Sequence, residues 1–355
     1  MDRLRVSFSH LHADAILVTH LPNILYLTGF TGSSAILLLT PDRSCLFTDS
    51  RYTFQAKQEV SAARVQIAKG PLLLAAAGHL AGLRRRGRLA LAYSPSQVTV
   101  GQREALERTL GSRLRWVPMA GLIEKLRAIK DLDELSLMRR AAELISRAFS
   151  EALPVVKEGA TELDVAAEIE YRMKRLGASG PSFETIVASG EHSAWAHARP
   201  TSKPIRKNEL VVLDQGAILR AYCSDMTRTV FLGRASSEVR RMYSAVREAQ
   251  EAAKSAIRPG VKAQAVDAAA RRVLKAHHLA RRFTHSTGHG LGLEIHEPPR
   301  LGRGDETVLE EGMVVTVEPG VYIEGFGGIR IEDDVVVTSR GADEITSAPR
   351  ELLEL

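Results

Sequence analysis

Four acidic residues end or interrupt short apolar runs, and this pattern constrains the fold more than any other feature of the chain. The runs are rich in β-branched residues and show no helical apolar stripe, so they predict β-strands. The acids are Asp214 in VVLDQG, Asp225 in YCSDMTRTV, Glu318 in TVEPGVY and Glu332 in IRIEDDVVV. Burying an unpaired charge in such a place is costly, and a metal or an ion pair is the usual reason for it.

A histidine adds a nitrogen ligand to these acids. His289 stands in the glycine-rich stretch Gly288–Gly292, where the missing Cβ atoms let backbone approach a site closely. Carboxylates crowded into one cleft repel one another unless cations neutralise them, and two divalent ions carry enough positive charge to do so. A neutral imidazole beside carboxylates suits Mn, Co, Zn or Fe better than Mg or Ca. The pattern predicts a dinuclear centre held by Asp214, Asp225, His289, Glu318 and Glu332.

A hairpin is predicted to join the first two ligands. A two-residue turn at Leu219 and Arg220 would place Asp214 directly opposite Asp225. Their carboxylates would then project from one face, with Cβ atoms about 4.5–5.5 Å apart. The turn lacks the Asn-Gly or Gly-X sequence that fixes such loops, so a register shifted by a bulge stays open.

The last two acids come from the C-terminal part of the chain. Glu318 follows the apolar run Met313–Val317 and precedes Pro319-Gly320, so a strand would deliver it to an open end. Arg330 lies two residues before Glu332, and the period of two puts both side chains on one face of the strand. An arginine there can hydrogen-bond a carboxylate that holds a metal.

From about Pro181 to Leu353 the chain resembles the peptidases of the pita-bread fold, which include methionine aminopeptidases, prolidases and aminopeptidases P. The resemblance implies an α+β catalytic domain in which Asp214 holds one metal ion. It implies that His289 and Glu318 hold the other ion, and that Asp225 and Glu332 bridge both. Mn or Co is the metal that the resemblance implies, and Zn is possible.

The resemblance also implies which residues act on the substrate. His296, in the string HEPP, matches a histidine that contacts the region of the scissile carbonyl. His197 matches a second histidine on the substrate side, and His285 matches one that lines a proline pocket. Tyr322 and Arg330 match positions next to the metals. Glu318 matches the residue that moves a proton from water to the leaving amine.

The first 120 residues predict an α/β domain. β-rich runs at 15–18, 35–39 and 45–48 alternate with amphipathic stretches at 51–59 and 71–84. The strings NILYLTGF and DSRY resemble the creatinase-like N-terminal domain of prolidases and aminopeptidases P, which methionine aminopeptidases lack. Arg51 and Tyr52 would serve the structure of this domain or a dimer contact, and structure is the favoured role.

The predicted domains are residues 1–120, the creatinase-like α/β domain, and residues 134–355, the pita-bread catalytic domain. A linker is predicted at 121–133, where a glycine and mixed charges interrupt the pattern. In the catalytic domain, apolar stripes and capping residues predict helices at 134–153, 161–177, 237–257 and 261–278.

Composition limits the protein class. With 45% hydrophobic and 25% charged residues and no apolar run near 20 residues, the chain is expected to be globular, without a membrane span. Its first residues lack the apolar segment of a secretory signal. Cys45 and Cys223 fall in different predicted domains, so we expect unpaired thiols and a cytoplasmic protein.

The net charge of +6 raises a rival hypothesis, a non-catalytic peptidase-like module that binds nucleic acid. The dense basic cluster Arg84–Arg88 has no interleaved aromatic residues, so a solvated turn is the better interpretation and no nucleic-acid partner is expected.

The favoured function is hydrolysis of the Xaa-Pro bond at the N-terminus of short proline-containing peptides by a homodimer. An amide to proline has no N–H, which is why it needs a dedicated pocket. The interpretation leans to an Xaa-Pro dipeptidase, or prolidase. The alternative is an aminopeptidase P that acts on longer peptides.

Overall fold

The computed structural model describes residues 2–83 and 88–355, and the chain divides into two compact units, Met1–Arg127 and Ala128–Leu355. The division falls inside the range 121–133, which was predicted as a linker. That range also holds the helix Leu122–Ala128 and the start of a second helix at Leu132. Of the predicted basic turn, residues 84–87 lie outside the described residues.

The first unit is an α/β fold around a mixed sheet. Its elements are α1 (Asp2–Leu11), β1 (Ala15–Val18), α2 (Leu21–Thr28), β2 (Ala35–Leu39), β3 (Ser44–Thr48), α3 (Thr53–Glu59), β4 (Arg64–Ile67), α4 (Leu72–Ala81), β5 (Leu89–Tyr93), α5 (Val100–Leu110), β6 (Leu114–Pro118) and α6 (Leu122–Ala128). The strands have the order β4-β3-β2-β1-β5-β6. The predicted α/β class of this region is confirmed.

Strand β2 is buried on both of its faces. Ala35, Leu37 and Leu39 pack into one apolar core, and Ile36 and Leu38 pack into another on the opposite side of the sheet. A strand that is covered on both sides has a continuous apolar sequence, whereas a strand covered on one side alternates apolar and polar residues. This is why residues 35–39 were recognisable as a strand from the sequence.

Arg51 and Tyr52 have partners inside the first unit. Arg51 Nε lies 2.9 Å from Asp49 Oδ1, and the Tyr52 hydroxyl lies 2.6 Å from Ser33 Oγ. The Tyr52 ring also meets the ring of Phe30 edge-on at 5.5 Å. Both side chains therefore contribute to the fold of the unit itself.

The second unit packs two pairs of helices against antiparallel sheets. Its elements are α7 (Leu132–Ala152), α8 (Glu162–Arg175), β7 (Gly180–Pro181), β8 (Ile186–Ser189), β9 (Glu209–Gln215), β10 (Ala217–Leu219), β11 (Tyr222–Cys223), β12 (Met226–Leu232), α9 (Ser237–Ala256), α10 (Ala263–Ala276), β13 (Gly288–Gly290), β14 (Glu297–Leu301), β15 (Val314–Val317), β16 (Gly320–Ile323), β17 (Gly327–Arg330), β18 (Asp333–Thr338) and β19 (Gly341–Glu344). The sheets have the orders β11-β10-β7, β12-β9-β8, β14-β13-β15-β18-β19 and β16-β17.

The four predicted helices of this unit are all present, and local sequence explains their first residues. Thr161 caps α8 by accepting a hydrogen bond from the backbone N–H of Asp164, whose side chain binds back to the Thr161 N–H. Asp131 and Glu134 form the same reciprocal cap at the start of α7. The C-terminal ends of the helices lie one to two residues before the predicted ends, where the last turn frays.

The predicted hairpin turn was wrong by one residue. The two-residue turn is Arg220-Ala221, with Leu219 paired to Tyr222, and φ is positive at both turn residues, 47° and 72°. The sequence did not indicate this turn, because Arg and Ala rarely adopt positive φ and neither is a typical residue for such loops.

The corrected register still leaves the two acids on one face. Asp214 is paired with Thr227, and Asp225 precedes Thr227 by two residues. Moving a turn by one residue shifts the pairing by two, and a shift of two keeps every side chain on its own face. The predicted direct opposition of Asp214 and Asp225 is therefore replaced by a diagonal relation.

Cys45 and Cys223 are both buried, and no disulfide joins them. Among the helices of residues 2–83 and 88–355, none is both long enough and apolar enough to cross a bilayer.

Candidate metal centre

A cavity of about 820 Å³ in the second unit gathers the predicted site residues. Nine of them line its wall, namely Asp214, Asp225, His289, Glu318, Glu332, His197, His285, His296 and Arg330. The hydroxyl of Tyr322 lies 2.7 Å from Arg330 Nη1 and 2.9 Å from His285 Nε2. The fold therefore brings together all ten residues that the sequence singled out.

Strands or the residues beside their ends carry the five candidate ligands. Asp214 lies in β9 and His289 in β13, whereas Asp225 directly precedes β12. Glu318 directly follows β15, as predicted, and Glu332 lies between β17 and β18. Short, differently directed strands can thus aim five side chains from distant parts of the chain into one cavity.

The donor atoms at the centre of the cluster lie close together. One ligand atom each from Asp225, His289 and Glu332 lies within 4.8 Å of the other two. His289 Nε2 is 3.5 Å from Glu318 Oε1 and 3.7 Å from Asp225 Oδ2. Its Nδ1 is 3.0 Å from the carbonyl oxygen of Gly290, so Nδ1–H donates there and Nε2 presents its lone pair to the carboxylates.

The carboxylate cluster is electrostatically strained without cations. Burial raises the pKa of Asp225 well above its usual value, and the charges of Glu332 and Asp214 raise it further. Burial, then Glu318 and Asp214, raise the pKa of Glu332 in the same way. Burial also raises the pKa of Glu318 to about 7, and it lowers the pKa of His289 to about 4. A neutral imidazole among carboxylates that resist ionisation is a donor set suited to divalent cations.

Two buried carboxylate oxygens of the cluster are candidate positions for a cation. Asp214 Oδ1 and Asp225 Oδ1 are buried and have no hydrogen-bond partner among the described residues. The other oxygen of Asp214, Oδ2, accepts a hydrogen bond from Arg330 Nη2 at 2.6 Å. The predicted contact between Arg330 and a candidate metal-holding carboxylate is therefore present. A buried carboxylate oxygen without a donor is costly unless an ion satisfies it, so the residues fit bound metal.

Two residues that orient the ligands were missed from the sequence. Thr227 Oγ1 donates to Glu332 Oε2 at 2.6 Å and accepts from Arg330 Nε at 3.0 Å. Asp334 Oδ2 accepts from the backbone N–H of Asp225 at 3.0 Å. The available signals were a threonine inside the buried strand β12 and the run of three acids that starts at Glu332 and ends at Asp334.

The glycine before His289 is required by close backbone contact. A Cβ atom on Gly288 would lie 1.9 Å from the carbonyl oxygen of Thr316. The backbone of this stretch lies close against β15 at Gly288, and this contact sets the position of His289 relative to β15.

The remaining histidines differ in their surroundings. His197 and His296 are exposed to the cavity, and the His296 ring lies 4.4 Å from that of His289. His285 is enclosed: its Nδ1 donates to the carbonyl oxygen of Ser286 at 2.8 Å, and its Nε2 accepts from Tyr322. Burial, and then the charge of Arg330, lower the pKa of His285 to about 4, so this ring is neutral.

Further wall residues give the cavity a mixed chemistry that the sequence did not indicate. Apolar side chains of Phe183, Ile186, Ile295 and Pro298 share the wall with the exposed guanidinium groups of Arg199 and Arg300. Such a wall can receive a small ligand that is apolar in one part and anionic in another.

Comparison with known proteins places both units in described families. The model of metallopeptidase family M24 matches residues 136–339, and that of the creatinase/prolidase N-terminal domain matches residues 1–129. An uncharacterised peptidase of Bacillus subtilis, YqhT, is 39% identical over 100% of this chain and 99% of its own length. The Xaa-Pro dipeptidase of Pyrococcus horikoshii is 35% identical, over 96% of this chain and 94% of its own.

Solved structures agree with this assignment. An Xaa-Pro dipeptidase from Bacillus anthracis superposes with a TM-score of 0.95 at 37% identity, covering 100% of this chain and 98% of its own. An X-Pro aminopeptidase from Thermotoga maritima superposes with a TM-score of 0.91 at 35% identity, covering 98% of this chain and 99% of its own. The predicted pita-bread catalytic domain and creatinase-like domain are confirmed, and the chain belongs to metallopeptidase family M24.

Proposed function

We propose that this protein is a metal-dependent Xaa-Pro peptidase that prefers dipeptides. The observation that carries the proposal is the set of four carboxylates and a neutral imidazole on a cavity of about 820 Å³. Two of the carboxylate oxygens are buried and have no hydrogen-bond partner among the described residues. The relatives named Xaa-Pro dipeptidase support the substrate class.

Asp214, Asp225, His289, Glu318 and Glu332 would hold two divalent ions. The family resemblance supports this set of five residues as the ones that would hold the ions. Mn or Co is the proposed metal, and Zn also suits this mixed nitrogen and oxygen set. When bound, the ions would neutralise the carboxylates, polarise the scissile carbonyl and make water a better nucleophile at neutral pH.

The side chains around the ligands divide the remaining work. Glu318, 16% exposed at its side chain, can take a proton at a carboxylate oxygen and pass it to the leaving nitrogen. His296 lines the cavity and can donate to the oxygen that becomes negative. His197 lines the same cavity and can contact the bound substrate. Arg330 and Tyr322 hold Asp214 and His285 in place through the hydrogen bonds described above.

The wall chemistry supports a dipeptide over a longer peptide. Proline offers an apolar ring and no N–H, so it suits the wall formed with Phe183 and Ile295. In a dipeptide the proline also carries the free carboxylate, which the exposed guanidinium of Arg300 can bind. In a longer peptide an uncharged amide replaces that carboxylate, and the arginine binds an amide less strongly than a carboxylate.

Turnover of matched peptides tests the proposal. The purified protein, loaded with Mn²⁺, should hydrolyse Xaa-Pro faster than Xaa-Pro-Yaa, and chelation should abolish both activities. Glu318→Ala should remove hydrolysis and keep the fold, whereas Glu311→Gln, on an exposed acid, should leave the rate unchanged. Turnover of only the longer peptides would replace the dipeptidase by an aminopeptidase P, and turnover of neither would overturn the function.

The proposal includes a cytoplasmic homodimer. The lack of a disulfide between Cys45 and Cys223 agrees with a reducing compartment, and the family resemblance supports the dimer. Light scattering of the purified protein would measure its mass, for which a monomer weighs 38.8 kDa.

A further inference from the structure

Glu162, at the start of α8, is a buried acid with an unusually full set of partners. Its side chain is 0% exposed and accepts hydrogen bonds from five donors. Ser189 donates from its backbone N–H at 2.8 Å and its hydroxyl at 3.0 Å, and Thr201 from its N–H at 3.1 Å and its hydroxyl at 2.8 Å. His192 Nδ1 lies 2.9 Å from Oε2.

These partners keep Glu162 charged inside the protein. Burial by itself would raise the pKa of Glu162, but the hydrogen bonds from His192, Thr201 and Ser189 outweigh it and lower that pKa below its usual value. Hydrogen bonds to an ionised acceptor are about twice as strong as neutral ones. Glu162 is therefore a strong and specific anchor.

The anchored segment is part of the cavity wall. We call residues 189–203 the wall segment; both of its ends bind Glu162, and Lys203 Nζ adds a bond of 2.7 Å to Ser189 Oγ. Between these ends, His197 and Arg199 line the cavity and are exposed to it. The anchor thus ties together the two ends of the loop that presents these side chains.

The middle of the wall segment is held from the side of the metal centre. Arg330 Nη1 donates to the carbonyl oxygen of Ala196 at 3.2 Å, and Ser193 Oγ accepts from the Gly328 N–H at 2.9 Å. The segment therefore lies between Glu162 and Arg330. Weakening the bonds to Glu162 would loosen both ends of the segment that carries His197, without removing any candidate metal ligand.

We propose that Glu162 and His192 are positioning residues that fix the wall segment and thereby place His197 against the substrate. The test by enzyme kinetics rests on the proposed function, whereas the test by motion of the wall segment does not. Small displacements of groups that orient a substrate can change the rate by up to about a hundredfold. Because the described hydrogen bonds of Glu162 and His192 are to the wall segment and to each other, the effect is expected in KM more than in kcat.

Kinetics of four variants test the role. Glu162→Gln and His192→Ala should each raise KM for an Xaa-Pro dipeptide about tenfold, with a much smaller change in kcat and unchanged metal content. His192→Asn should recover most of the loss, because its amide N–H can still donate to Glu162. Glu168→Gln removes a half-buried ion pair with Arg172 on the same helix and should leave KM as in the wild type.

Trp195 provides a readout that needs no enzymatic activity. It is 68% exposed in the wall segment, with its ring 5.2 Å from that of His192. The chain has two tryptophans, so Trp116→Phe leaves Trp195 as the single reporter. Time-resolved anisotropy in this background should show faster local motion of Trp195 in Glu162→Gln and His192→Ala, and no change in Glu168→Gln.

The outcomes separate this inference from the proposed function. If the wild type hydrolyses Xaa-Pro but KM stays constant in both anchor variants, the positioning role is overturned and the function stands. If no peptide is hydrolysed, the proposed function fails. The anisotropy of Trp195 then decides by itself whether Glu162 and His192 fix the wall segment. If Glu162→Gln or His192→Ala folds and the motion of Trp195 is unchanged, the positioning role is overturned. If Glu162→Gln does not fold, His192→Ala provides the test, because His192 is only half-buried.

Discussion

Replacing Glu318 by glutamine should raise the free energy of unfolding of the metal-free protein. This increase should become larger as the pH rises. Burial raises the pKa of Glu318 from 4.5 to about 7, against the opposing charge of Arg330. A carboxyl group whose pKa is higher in the folded than in the unfolded protein leaves the fold fully stable below the unfolded value. That stability is lost as pH rises through the folded pKa, so the window runs from pH 4.5 to about 7.

The magnitude follows from the width of this window. At about 1.4 kcal/mol per pH unit, the interval from 4.5 to about 7 corresponds to a loss of about 3 kcal/mol for ionised Glu318. Glutamine has nearly the same shape and no charge at any pH, so the variant avoids this loss. His285 and His289, whose pKa values burial lowers to about 4, change stability in the opposite sense, but they do so equally in both proteins.

Urea unfolding of the chelator-treated proteins measures the effect. The free energy of unfolding of Glu318→Gln minus that of the wild type should increase by about 2.5 kcal/mol between pH 5 and pH 8. For the exposed Glu311→Gln this difference should stay constant. A constant or shrinking difference for Glu318→Gln would refute the raised pKa. With Mn²⁺ present the order should reverse, because only the wild type keeps this carboxylate as a ligand that couples metal binding to folding.

Three further substitutions test the scaffold and the site. Arg228→Met removes a guanidinium 1% exposed and 2.6 Å from the buried Asp333, and should lower the free energy of unfolding by about 3–5 kcal/mol in urea titrations. Gly288→Ala places a Cβ 1.9 Å from the Thr316 carbonyl oxygen and should destabilise by about 1–3 kcal/mol, with weaker metal binding in calorimetry. His296→Ala should keep its metal content by elemental analysis and lose about a hundredfold in kcat; loss of metal would contradict its placement on the substrate side.

Local features were predictable because their causes are local. Strand β1 at Ala15–Val18 and strand β2 at Ala35–Leu39 have the predicted bounds, since each is a short apolar run that ends at polar or turn residues. The cap at Thr161 was visible from the acid three residues later. The hairpin turn was not, because Arg220 and Ala221 take positive φ only where the surrounding pairing imposes it.

The sequence by itself determined which donor types are available and on which face of a strand each one lies, because the period of two and the apolar runs are properties of neighbouring residues. Only the tertiary structure decided that one oxygen of Asp214 accepts a hydrogen bond from Arg330, 116 positions away, and that the other has no partner among residues 2–83 and 88–355. It also decided that Thr227 and Asp334 orient the ligands, and that Glu162 holds the wall segment. Contacts over such separations depend on how strands and helices pack, and packing is a property of the whole unit.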